Sequence, residues 1–292
     1  MYRAAPPDRF CRGELRLRSH SSRCDLNPGL GGRQFVTGSQ VGQKGQEFLR
    51  REARHLPRDG QHQEGDPVTE AIWLSSDGTR ALLTSISGLT TQRKLRLFAC
   101  GCCRRVWHLL EHHEGRQRAV EIAESYADGT ANDEDLRAAE MGVHPLPSGD
   151  PIRVSAASAA AATLTHDHSR SWSLAAGAIA ATVQGGDQAA FLATGNAELD
   201  AQVALLRDIF GNPFRPVTLV PAHRTQDVIS LARAAYDERQ LPSGELEWDR
   251  LAVLADALEE GGCDEATILD HLRSPGPHVR GCWALDMALC LS

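Results

Sequence analysis

Lysine is almost missing from this 292-residue chain: of its 31 basic residues only Lys44 and Lys94 are lysine. That bias, together with abundant Ala and Gly, records a GC-rich coding sequence more than selection for arginine's forked geometry. Long apolar runs are missing too. The best candidate, Leu174 to Val183, is short and Ala-dominated, far from the roughly 18 consecutive apolar residues a membrane helix needs, so no membrane partner is expected. The opening MYRAAPPDRF lacks the apolar core of a secretory signal, which makes the cytoplasm the expected address. The eight cysteines are then expected to stay reduced. No nucleophile elbow, phosphate loop, double Cys pair for zinc or nucleic-acid signature occurs, which removes the direct routes from motif to activity.

What is present is enough apolar material, 41% of residues, to bury a core in one large or two ordinary domains. Charge divides unevenly. Residues 1–67 hold 12 basic and 8 acidic groups, whereas the remainder holds 19 and 30, giving +4 and −11 against the total of −7. A body this acidic is a poor general binder of phosphate backbones, so nucleic acid is not an expected partner.

Residues 1–67 carry no sustained helical or strand periodicity and end in the polar string PRDGQHQEGDP. Such a segment buries too little to offset its ordering entropy. It reads as an Arg-rich arm, a disordered tail or, the preferred reading, an extension of a chain that starts at Val68 from a GTG codon. Residues 68–140 form an N-terminal helical part, 141–196 an Ala-rich variable insert or tether, and 197–292 a C-terminal helical part.

Helical periodicity dominates after Val68. In TTQRKLRLFACGCCRRVWHLL, the residues Leu95, Phe98, Ala99, Cys102, Val106 and Leu109 recur at three- and four-residue steps. They draw one core stripe along a helix of five or six turns capped by Thr90 or Thr91. Further helices are expected before Asp128-Gly129, after Asn132, before Gly211-Asn212-Pro213, after the cap Thr225, over WDRLAVLADALEEGG, after the cap Asp264, and from Gly276-Pro277 with proline in the first turn. Helix follows helix with few β-branched runs. The expected fold class is all-α, built of stacked antiparallel helical hairpins.

Several constellations carry potential chemistry. Cys100 and Cys103 have Cys-x-x-Cys spacing, half of a zinc site, yet no second pair completes it, and mid-helix thiols lack the positive field that activates a redox dithiol. Core packing is the simpler reading. On the expected last helix His278, Cys282 and Asp286 follow at i, i+4 and i+8, the ingredients of an activated thiol, although side chains in one row on a straight helix make a poor triad. Trp283 and its neighbours make that helix apolar nearly all round, so Trp283 is a core candidate and Asp286 needs a cation, with Arg104 or Arg105 as first candidates. His166-Asp167-His168 reads as a polar loop more readily than a metal site. The acidic set Asp256, Glu259, Glu260, Asp264 and Glu265 reads as a solvated face, and Arg93, Lys94, Arg96, Arg104 and Arg105 spread too widely for a nucleic-acid stripe.

The strings RKLRLFACGCCRRVWHLL, LLRDIFGNPFRPV, LADALEEGGC and GPHVRGCW, in this order, resemble an uncharacterised, paralogue-rich bacterial protein family over about Val68 to Leu291, with the Ala-rich middle interrupting the match. That family usually begins near VTEAIWL, which implies a start at Val68. RLAVLADALEEGG also resembles the bacterial repeat-companion domain, a helical module found next to repeat arrays. Neither resemblance implies a catalytic residue. The expectation is a non-catalytic helical module that works through an unknown protein partner, with no cofactor. The alternative is a metal- or thiol-dependent enzyme using Cys100, Cys103, His278 and Cys282, with zinc as its metal.

Overall fold

A computed structural model describes residues 69–75, 79–86, 89–110, 114–143, 151–165 and 188–291. The expectations for residues 1–67, for a start at Val68 and for His166-Asp167-His168 fall outside these. The described residues are all-α: α1 (Glu70–Ser75), α2 (Thr79–Ile86), α3 (Gln92–Arg105), α4 (Glu114–Ala127), α5 (Asp133–Gly142), α6 (Pro151–Ala162), α7 (Gln188–Phe210), α8 (Gln226–Asp237), α9 (Trp248–Glu260), α10 (Ala266–Arg273) and α11 (Trp283–Leu289). Among them the only ladder-type pairing is an isolated antiparallel bridge between Glu245 and Val279.

Local chemistry sets four of the described helix starts. The Thr91 hydroxyl accepts from the Lys94 amide at the head of α3, and the Thr225 hydroxyl accepts from the Val228 amide at the head of α8. Asn132 and Asp135 form a reciprocal capping box on α5. At α10 the capping side chain is Glu265, accepting from the Thr267 amide at 3.2 Å, rather than the expected Asp264.

Successive helices pack on one another, and two apolar cores result. The first joins α2, α3, α4, α6 and α7 around Phe98, Cys102, Val120, Ala123 and Leu206, all fully buried. The second joins α8 to α11 around Val228, Leu251, Leu254, Leu258 and Ile268, equally buried. Each such branched or aromatic side chain contributes about 1.5–3 kcal/mol by leaving water.

The cysteine helix is shorter than its periodicity suggests. α3 ends at Arg105, and Val106 leads into a 3₁₀ turn, Trp107–Leu109. The stripe therefore swings out of register: Phe98, Cys102 and Val106 are buried, whereas Leu95 and Leu109 are half-buried against the core. The Ala-rich run expected to act as a tether belongs to that core. Ala156, Ala159 and Ala160 on α6 are fully buried, because alanine lets α6 approach α3 and α4 closely. Arg96, also buried, donates to the carbonyls of Thr163 and Thr165 just beyond α6, where a helix end concentrates unpaired acceptors. α7 runs without a break across residues 196 and 197, where a boundary was expected.

The last helix begins later than expected. Gly276-Pro277 opens an irregular segment instead of a helix, and α11 starts at Trp283. Backbone competition explains the difference. The His278 carbonyl accepts from the Leu246 amide at 2.8 Å, and the Cys282 amide turns back to the Val279 carbonyl at 2.9 Å, so neither group is free for an α-helical ladder. Gly281, at φ +93°, makes the turn into α11, and a Cβ there would lie 2.8 Å from Leu97 Cδ1.

Candidate metal centre

Delaying α11 changes what His278 and Cys282 can reach. They stand on the irregular segment and at the N-cap of α11 rather than in a row on one helix face. From α7, Asp208 enters between them and His271 of α10. Asp208 Oδ1 lies 2.8 Å from His278 Nδ1 and 3.3 Å from His271 Nε2. His271 Nε2 is 3.2 Å from Cys282 Sγ, and His278 Nδ1 is 3.9 Å from the same sulfur. The four donor atoms all fall within 4.8 Å of one another. Among the described residues this is the group of His, Cys, Asp and Glu donors whose geometry can hold a metal ion.

Neighbours fix the orientation of each donor. The Val279 amide donates to Asp208 Oδ2 at 2.9 Å, which leaves Oδ1 for the imidazoles. His278 Nε2 donates to the Ser274 carbonyl at 3.0 Å, which aims Nδ1 at Asp208. The His271 ring meets the His278 ring edge-on with centroids 4.8 Å apart, and the Trp283 ring lies tilted against it, also at 4.8 Å.

Burial and charge then oppose each other. Burial works to raise the Asp208 pKa, but hydrogen bonds from His271 and His278 outweigh it, and the carboxyl sits below its ordinary value. Burial works to lower His278, and the Asp208 carboxylate reverses this, leaving the imidazole above its ordinary value. For Cys282 burial dominates, the Asp208 charge adds to it, and the thiol is held well above the usual range. Two chemistries use such a set: metal ligation, and a thiol activated by an imidazole that a carboxylate orients. The second needs an ionised, reachable sulfur, whereas Cys282 is fully buried.

Other candidates part company with this centre. Cys100 and Cys103 are fully buried in the first core, with Cys100 near the Val120 carbonyl, and burial pushes both thiols up. They do not join His278 and Cys282, so the four-residue enzyme constellation expected from sequence does not assemble. Asp286 also points elsewhere. Its cation is Arg93, bidentate at 2.5 and 3.0 Å, not Arg104 or Arg105, which are taken by Glu124 and Glu198, both at 2.8 Å. Arg93 lies just N-terminal of the first stripe residue, Leu95, and also grips Asp128 and the Tyr236 hydroxyl, both at 2.7 Å. Trp283 is half-buried rather than central, packed between the second core and the His271 ring.

Sequence reasoning missed Asp208 and His271. Asp208 looks like an ordinary polar position in LLRDIF, 63 residues before His271 in the chain. His271 carried a usable signal: His278 follows it at i+7 across Ser-Pro-Gly-Pro, a turn-rich spacing that can fold two imidazoles and Cys282 together. No protein-family model, curated protein or solved structure matches this chain, so the chemistry of the centre stands on its own geometry.

Proposed function

We propose that this protein is a non-catalytic α-helical module that serves an unknown protein partner by contact, and that its Asp208–His271–His278–Cys282 centre maintains the fold instead of turning over a substrate. The observation that carries this reading is closure. Side-chain exposure is 2% for Asp208 and His278 and 19% for His271, and Cys282 is fully buried. No member of the centre lines a groove of about 420 Å³ between Phe210, Trp283 and Met287, nor a small hollow beside Arg104 and Arg239. The burial of its sulfur argues against a substrate reaching Cys282. A metal held there, zinc being the ion that such a donor set suits, would act on the fold. A cytoplasmic address agrees with free thiols at Cys263 and Cys282.

Thiol reactivity tests the reading. Brief treatment of the native protein with iodoacetamide, followed by peptide mass spectrometry, should label exposed Cys290 and leave Cys282 unmodified until denaturant is added. Alkylation of Cys282 in the folded protein at a rate comparable with Cys290 would favour the thiol enzyme instead.

A further inference from the structure

We propose that Asp208 Oδ1, His271 Nε2, His278 Nδ1 and Cys282 Sγ bind one Zn²⁺ ion as a tetrahedral, closed structural site. The inference rests on reading the centre as structural and names its ligand. One carboxylate oxygen, two imidazole nitrogens and one sulfur form a mixed donor set of the kind zinc accepts, whereas calcium and magnesium favour oxygen throughout and copper(I) favours sulfur.

Distances carry the argument further. With ligand bonds of about 2.0–2.1 Å to nitrogen or oxygen and about 2.3 Å to sulfur, a tetrahedron has edges of about 3.3 Å between nitrogen and oxygen and about 3.6 Å between nitrogen and sulfur. The corresponding separations are 3.3 Å for His271 to Asp208, 3.2 and 3.9 Å for the two imidazoles to Cys282, and 2.8 Å for His278 to Asp208. Among these four pairs only the last must part by more than a few tenths of an ångström, and the two remaining pairs, His271 with His278 and Asp208 with Cys282, lie within 4.8 Å and draw together as the ion binds. Charge also closes: Zn²⁺ with one carboxylate and one thiolate is neutral, which suits a buried position. On binding, the Cys282 thiol proton and the proton that His278 Nδ1 holds against Asp208 are released to solvent, and the proton on His271 Nε2 leaves or moves to Nδ1, as the three zinc–ligand bonds form. The outer contacts are already in place, with the Ser274 carbonyl holding His278 and the Val279 amide holding Asp208, the arrangement that orients metal ligands. Because the ligands come from α7, α10, the irregular segment and the head of α11, the ion would tie the C-terminal helices to the first core.

Metal content and cobalt spectroscopy on the full chain test the site. Protein stripped with chelator and dialysed against zinc should retain about one equivalent by elemental analysis, filling four protein ligands. X-ray absorption at the zinc edge should show one sulfur and three nitrogen or oxygen neighbours. Cobalt(II) loading should give intense visible bands of a tetrahedral ion and a sulfur-to-metal charge-transfer band that Cys282→Ser abolishes. Asp208→Asn and His271→Gln should weaken cobalt binding by more than the 10–100-fold typical of outer-shell changes. Should a variant fail to fold, the absorption spectrum of the unaltered protein decides alone. Folded protein that takes up neither zinc nor cobalt, or a bound zinc with no sulfur neighbour, overturns the proposal. If metal is absent while Cys282 resists alkylation, this inference fails and the non-catalytic reading stands; if a zinc-loaded protein is alkylated at Cys282, the reverse holds.

Discussion

Replacing Arg93 by methionine removes the cation of Asp286 while keeping most of the side-chain volume. Asp286 is 2% exposed and Arg93 10% exposed at the side chain, so the surviving carboxylate would be stranded away from water. Asp128 would keep a partner, because Arg280 contacts its other oxygen at 2.6 Å. The loss is therefore that of one broken buried pair, about 3–5 kcal/mol. Asp286→Asn is milder, since Arg93 retains Asp128 and Tyr236; about 1–3 kcal/mol is expected from the weakened hydrogen bonds. In the double variant the stranded charge is gone, so the two costs should fall short of additivity by about 2 kcal/mol. Urea unfolding of the four proteins, followed by far-ultraviolet circular dichroism, measures this directly. A parallel cycle between Arg104→Gln and Asp286→Asn serves as control and should be additive within about 0.5 kcal/mol, because Arg104 is committed to Glu124. Coupling below about 0.5 kcal/mol in the first cycle, or equal coupling in both, would refute the assignment of Arg93 as the partner.

Glu124 supplies a pH test: burial works to raise its pKa, but hydrogen bonds from Arg104 and Arg239 outweigh it and hold the carboxyl below its ordinary 4.5. A depressed folded pKa means stability that is complete above about pH 4.5 and lost as pH falls through the folded value, so Glu124→Gln should lose less stability than the parent on acidification, and parallel pH profiles would contradict this. Ala160→Leu forces three additional carbons into the fully buried face of α6 and should cost about 1–3 kcal/mol in denaturant; unchanged stability would mean that another face is packed. Gly281→Ala, with its Cβ against Leu97 and φ at +93°, should lower the melting temperature by several degrees, at about 2–4 °C per kcal/mol for a body of this size, whereas an unchanged melting point would show that the loop yields.

The helices were legible because burial imposes a period that a single sequence displays. In the stripe Val228, Leu231, Ala232, Ala235 and Tyr236 all but half-buried Leu231 are buried, and the stripe Leu251, Leu254, Ala255 and Leu258 is buried throughout, as the spacing implies. Thr91, Asn132 and Thr225 cap where local chemistry says they should. The candidate centre was only half legible. His278 and Cys282 do meet, but through a bent segment whose shape depends on Leu246 and Asp208, partners remote in sequence. Asp286 was correctly read as needing a cation. Which arginine supplies it depends on how α11 crosses α3, and spacing within either helix carries no information about that crossing. The Ala-rich run misled for a related reason: alanine has no bulk to announce an apolar stripe, and its burial shows only once α3 and α4 lie against it.

A belt of charge lies between the two apolar cores, where Arg104 and Arg239 share Glu124, and Arg93 and Arg280 share Asp128. Separating the two halves would expose each greasy surface and simultaneously break Arg239–Glu124, Arg280–Asp128 and Arg93–Asp286, leaving two buried carboxylates with one arginine each and Asp286 with none, so neither half has an inexpensive way to melt first. Scanning calorimetry of this body should accordingly give one endotherm whose van't Hoff and calorimetric enthalpies agree. Because these ions are screened by protein rather than by electrolyte, raising the salt from millimolar to molar should scarcely move that endotherm. Heating erodes the desolvation penalty of the belt, so the joint between the halves holds its strength up to the temperature at which the whole body gives way.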